Sequence, residues 1–197
     1  MTSRNSNLLA QLDDVISLVS VSSANPALDT SNKPVIDYLA EQFEALGFSC
    51  EVIPNKENEE KVNLIATYGS GPGGLVLSGH TDTVPLDDKL WSVDPFRLTE
   101  RDGKFYGLGV TDMKSFFPIV IEAIKPLLEE VFKEPLIVLA TADEETSMQG
   151  ARTIAELGRP RGRAAVIGEP TGLQPVKAHK GIMMDRIQLL GKSGHSS

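Results

Sequence analysis

Cysteine is nearly absent from this sequence. Cys50 stands alone, so no disulfide can form within the chain and a reducing compartment is expected. It lies in an apolar, strand-like segment and reads as a small buried hydrophobe, not a reactive thiol. Long hydrophobic runs are missing too: no stretch approaches the ~20 apolar residues that cross a bilayer. The opening Met1-Thr2-Ser3-Arg4-Asn5-Ser6-Asn7 leads into an amphipathic segment where a secretory signal would place an apolar run. The expected location is cytoplasmic. Positive charge is in deficit, with 19 lysines and arginines against 27 acidic residues and a net charge of −8. That balance disfavours nucleic acid and anionic membrane as partners, and bound cations could neutralise part of it. Internal repeats and low-complexity segments are lacking. The 41% hydrophobic and 23% charged residues over 197 positions suit one soluble globular domain, or one and a half.

Apolar residues at helical spacing (Leu8, Leu9, Leu12, Val15, Ile16, Val19) predict a helix over 7–20. Pro34 marks the first turn of a second helix that buries Ile36, Leu39, Phe43 and Leu46 and stops at Gly47. Strands are expected at 48–53 and 62–68, on either side of a solvated acidic turn (Glu57, Glu59, Glu60). The glycine-rich stretch 69–74 lacks the Gly-Lys-Ser/Thr ending of a phosphate loop and precedes a strand, so it reads as a hairpin connection. Residues 75–79 form a short strand that ends at His80. A hairpin over 96–106 turns at Arg101-Asp102-Gly103. A long helix is expected over 113–130, broken near Pro126. Then come a buried strand at 136–141, a helix at 149–157 and another buried strand at 164–167. Strands alternating with helices imply an α/β sheet flanked by helices, with ligands beyond the carboxyl ends of its strands.

Four polar clusters fall at such strand ends: His80-Thr81-Asp82, Asp112, Asp143-Glu144-Glu145 and Glu169. Each alone has a plain explanation. Asp112 could cap a helix, His80 could be an ordinary surface histidine, and the glutamates could be loop charges. Together they would gather several carboxylates in one cleft, which is costly unless cations neutralise them. One histidine among carboxylates suits zinc, cobalt or manganese. His80 and Asp82, two apart at a strand end, share a face, so Asp82 can hold the second ring nitrogen of His80. Glu144 and Glu145 point apart, so one can ligate while the other serves as a free base.

These motifs resemble those of the M20 family of two-zinc amidohydrolases. Ser78-Gly79-His80-Thr81-Asp82-Thr83-Val84-Pro85 is similar to its first metal motif. Gly107-Leu108-Gly109-Val110-Thr111-Asp112-Met113-Lys114 resembles its bridging-aspartate motif. Ala142-Asp143-Glu144-Glu145-Thr146 and Gly168-Glu169-Pro170-Thr171 resemble the remaining two, and the likeness covers essentially the whole chain. Asp143 to Met148, Leu173 to Val176 and Ala178 to Gly181 look most like the acetylornithine deacetylases of the family.

The resemblance implies a zinc-dependent exopeptidase-like catalytic domain over 1–178, with a mixed sheet, and the start of an α+β lid and dimerisation domain over 179–197. It implies two Zn2+ ions (Co2+ possible): His80 and Glu169 on one, Asp112 bridging, Glu145 on the other. Glu144 would be the general base, Asp82 would orient His80, and His195 would cross to a partner subunit's site and stabilise the oxyanion. The implied reaction is hydrolysis of N2-acetyl-L-ornithine, an acylated amino acid of arginine biosynthesis, by a homodimer. A desuccinylase of succinyl-diaminopimelate, an aminoacylase or a metallopeptidase would share the motifs. So would a metal-binding or dimerising fragment without activity. The Asp112–Met113 peptide is expected to be cis. The family's second zinc takes a further histidine near the C-terminus. This chain offers only His179, read as a hinge position, and His195. A truncated chain, poorly active alone, is therefore expected. A strand over 182–190 would lack its sheet, and Met183 and Met184 read as strand packing.

Overall fold

A computed structural model describes residues 3–194 apart from 179, 182, 184, 186 and 193. Helix α1 (Ser3–Ser17) and helix α2 (Lys33–Ala45) precede the first two strands, β1 (Ser49–Pro54) and β2 (Val62–Tyr68). α1 ends three residues before its predicted limit. The chain beyond it turns extended, and residues 20–22 run beside 81–83, with Ser22 N donating to Thr83 O and Thr83 N to Ser20 O. α2 closes where Gly47 adopts a φ of +87° and Phe48 N reaches back to Phe43 O, a glycine-terminated helix end.

Strand β3 (Leu75–His80) comes next, followed by a short hairpin of β4 (Thr99–Arg101) and β5 (Lys104–Tyr106). Arg101 pairs with Lys104. The turn is therefore the two residues Asp102 and Gly103, both with positive φ, as tight hairpins require. Helix α3 (Phe116–Ile124) is shorter than expected at both ends. Residues 112–115 are taken up in turns at its start, and Pro126 gives way to a 3-10 turn, Lys125–Leu127. Strand β6 (Leu136–Thr141), helix α4 (Gln149–Leu157) and strand β7 (Ala164–Ile167) complete the elements.

The sheet is mixed and ordered β1-β2-β6-β3-β7, with β1, β2 and β6 antiparallel in turn and β3 parallel to both β6 and β7. The glycine-rich stretch 69–74 is thus not a hairpin connection: β6 inserts between β2 and β3. Long-range pairing, which local composition does not encode, decides this. Alternate residues of each strand face opposite layers. Leu64, Ala66, Val138 and Ala140 pack with α1, α2 and α3, whereas Ile65, Val76 and Ile137 pack with Ile154 of α4. The fold class is therefore α/β, a mixed sheet flanked by helices.

One expected burial fails. β7 is exposed along its length, with Ile167 64% exposed, because it pairs on one side only and α4 covers the neighbouring strands instead. Met183 likewise packs on no strand and is exposed. No described residue of 182–190 is in a strand, and His179, Ile182, Met184 and His195 lie outside the described residues. Among the described residues no helix is long and apolar enough to cross a membrane.

Candidate metal centre

Three parallel strands end on one edge of the sheet and deliver the expected residues there. His80 is the last residue of β3 and pairs with Thr141, the last of β6. Glu144 and Glu145 follow β6, and Glu169 follows β7 by two residues. Asp112 arrives on the turns before α3. Its neighbour Met113 is 1% exposed and lies against Gly79 so closely that a Cβ there would stand 2.6 Å from Met113 Cε. A side chain at that position would have to displace the methionine and press on Phe116 and Phe117. Lys114, also buried, donates to Leu18 O at 2.5 Å and fixes the other side of this segment, and burial pulls its ammonium down to about 7. The Asp112–Met113 peptide is cis, as expected.

His80, Asp112 and Glu145 each present one ligand atom, all within 4.8 Å of one another. His80 Nε2 is 3.0 Å from Asp112 Oδ1 and 3.9 Å from Glu169 Oε1. Its Nδ1 faces the backbone carbonyl of Asp82 at 2.9 Å. The Asp82 carboxylate, expected to hold that nitrogen, stands 3.6 Å from it. It also accepts the backbone N–H groups of Glu144 and Glu145 at 3.2 and 3.1 Å. Asp82 therefore serves both halves of the site: its carbonyl fixes the histidine tautomer and its carboxylate anchors the glutamate turn.

The electrostatics are those of a site built around positive charge. Burial disfavours the imidazolium of His80, but Asp82, Glu144 and Glu169 outweigh it and push its pKa up to about 9. Glu145 is raised to about 6 by burial and by Asp112, against the opposing pull of His80. Glu169 is raised by burial first and then by its carboxylate neighbours. Carboxylates this crowded resist ionising together unless a cation joins them. The donor set, one imidazole nitrogen with Nδ1 turned away and several carboxylates converging on Nε2, fits a divalent metal of the zinc type.

Glu144 does not belong to that ligand cluster. With His80 and Glu169 it lines a cavity of about 680 Å³ that continues along α4 to Ile154 and Pro160. The two adjacent glutamates thus face different surroundings, as the sequence suggested. Sequence reasoning overlooked the support beneath them, in which Lys61, Ser22 and Asn55 reach Asp143. A lone lysine between the exposed acidic turn and the apolar β2 was the one visible signal.

Residues 76–183 match the family model for peptidase family M20/M25/M40. The chain belongs to that family. An acetylornithine deacetylase from Pasteurella multocida (strain Pm70) is 51% identical over 191 residues, 97% of this chain and 50% of that protein. One from Klebsiella pneumoniae (strain 342) is 52% identical over 183 residues, covering 93% and 48% respectively. The chain therefore spans about half the length of these curated relatives of the M20 family. The crystal structure of an M20 family metallo-carboxypeptidase from Sulfolobus solfataricus superposes with a TM-score of 0.68 at 20% identity. It covers 82% of this chain and 37% of that one, a likeness of fold.

Proposed function

We propose that this chain carries the metal-binding half of a deacylase that hydrolyses N2-acetyl-L-ornithine to ornithine and acetate. What supports it is the cluster of His80, Asp112 and Glu145 beside Glu144 in a chain half identical to acetylornithine deacetylases. Zinc is the proposed metal, held by His80 Nε2, Asp112, Glu145 and Glu169, and it supplies Lewis acidity toward water and the acyl carbonyl. Glu144 is the proposed general base. Its carboxylate takes the proton of the attacking water as the C–O bond forms, then gives it to the departing amine nitrogen as the C–N bond breaks. Asp82 holds His80 in the ligating tautomer through its carbonyl and the glutamate turn through its carboxylate. Residues 179–197 are proposed as the start of a lid and dimerisation domain, with His195 serving the partner subunit's oxyanion. The second metal needs a donor beyond the residues named, so the 197 residues alone are proposed to turn over poorly.

The test starts from metal. The purified chain is expected to take up zinc and to lose that uptake on His80→Ala or Glu145→Ala. A folded chain that takes up none would sink the assignment. Full turnover by the chain alone would overturn the need for a further donor. Substrate choice is tested by replacing the matching residues of the Pasteurella deacetylase with this chain. Release of acetate from acetylornithine supports the reading, and a preference for succinyl-diaminopimelate overturns it.

A further inference from the structure

The Glu144–Glu145 pair sits on a turn held from two sides. On one side the Asp82 carboxylate takes both backbone N–H groups. On the other is Asp143, buried and left-handed at a φ of +56°, a conformation that aspartate and asparagine tolerate better than most residues. Asp143 stays out of the ligand cluster. Its Oδ1 accepts Ser22 Oγ at 3.0 Å and lies 3.1 Å from Lys61 Nζ, and its Oδ2 faces Asn55 Nδ2 at 3.5 Å. Lys61, directly before β2, has a side chain only 3% exposed. Its ammonium also donates to Asp29 Oδ1 at 2.7 Å and to Val21 O at 3.5 Å. The ammonium is thus hydrogen-bonded twice and faces a second carboxylate, which offsets the cost of burying it. The acceptors come from the loop after α1 and from the end of β6, remote in sequence. Apolar side chains could fill such a place at lower cost, so stability alone does not account for the ion pair.

We propose that Lys61 and Asp143 are positioning residues whose buried ion pair locks the 143–145 turn, so that Glu145 reaches His80 and Asp112 while Glu144 stays beside them. The value of that placement rests on the metal reading above; the lock itself does not. Asp143→Asn keeps the size and the left-handed backbone but removes the charge facing Lys61. Asp29→Asn removes the other carboxylate from the same lysine and leaves the turn untouched.

Amide hydrogen exchange in the metal-free chain separates the two. Asp143→Asn is expected to speed exchange at Glu144 and Glu145 about tenfold or more, and Asp29→Asn to leave both within about twofold, since only the former loosens that turn. Lys61→Met is expected to match Asp143→Asn there; if it does not fold, the two asparagine variants still decide. Zinc affinity, measured by chelator competition, should fall about tenfold or more in Asp143→Asn, the usual effect of losing a residue that orients a ligand. The cobalt absorption bands of that variant should shift, and those of Asp29→Asn should not. Unchanged exchange at Glu144 and Glu145 in Asp143→Asn, or equal acceleration in both asparagine variants, would overturn the proposal. Failure of the wild-type chain to bind zinc would overturn the metal reading and leave the exchange comparison to judge the lock.

Discussion

The two faces of the central sheet are built unequally. One carries α1, α2 and α3 over a continuous core in which Val15, Ile36, Leu39, Phe43, Leu64 and Phe117 are fully shielded. Among the described residues the other carries only α4, whose Ile154 seals a small cluster with Ile65, Val76 and Ile137. Beside it runs a cavity toward the exposed β7. The dense face anchors the strands, and the thin face leaves room beside the strand ends where His80, Glu144 and Glu169 meet. The packed core and the candidate metal site thus lie toward opposite sides of the same strands.

The same substitution on the two faces measures the difference. Ile36→Ala, fully shielded on the dense face, is expected to cost about 4 kcal/mol, in the upper range for a buried large-to-small change. Ile154→Ala, on the thin face, is expected to cost about 2 kcal/mol, because its surroundings are already open and the site can relax. Urea unfolding of the two variants decides the point, and equal losses would break the comparison.

A second, smaller effect belongs to the strand ends. Without metal, His80 holds its proton to about pH 9 and Glu145 to about pH 6, against the ordinary 6.5 and 4.5 of the unfolded chain. Both groups bind protons more tightly when folded. The stability they contribute is complete below about pH 4.5, and it is lost as pH rises through about 6 and then about 9. Zinc must displace those protons, so the rise in Tm on adding zinc is expected to be larger near pH 8.5 than near pH 6. Calorimetry with zinc or with chelator would show it, and equal increments would remove the strand ends as the place where charge is stored.

The smallest expected effect lies on the outer surface of the dense face. Lys33 and Asp37 form an i, i+4 pair on α2 with half of each side chain in solvent. Asp37→Ala should cost no more than about 0.5 kcal/mol. A loss comparable to Ile36→Ala would mean that the dense face draws on its surface as much as on its core.

Much of the fold was legible because its signals are local. β6 and α4 lie where continuous apolar residues and helical spacing put them, and Pro126 breaks the helical run where its missing N–H requires. The cluster of His80, Asp112 and Glu145, with Glu169 beside it, was legible because each residue sits at the end of an apolar strand or in a turn of fixed composition. Burial of β7 was misjudged because Ala164-Ala165-Val166-Ile167 reads the same whether a neighbour covers it or not. Asp82 was assigned to His80 from strand alternation, and what that alternation could not show is that its carboxylate also takes the glutamate amides, a contact across 62 residues of sequence.

The sequence by itself determined the element types, the placement of the candidate ligands at strand ends and the different surroundings of Glu144 and Glu145. Those follow from side-chain periodicity and from the chemistry of each residue. Only the tertiary structure decided that β6 lies between β2 and β3, that one face is thick and the other thin, and that Lys61 meets Asp143. The physical reason is the same in each case. Strand pairing and buried ion pairs draw their free energy from partners far along the chain, and the local sequence around either partner is compatible with many others.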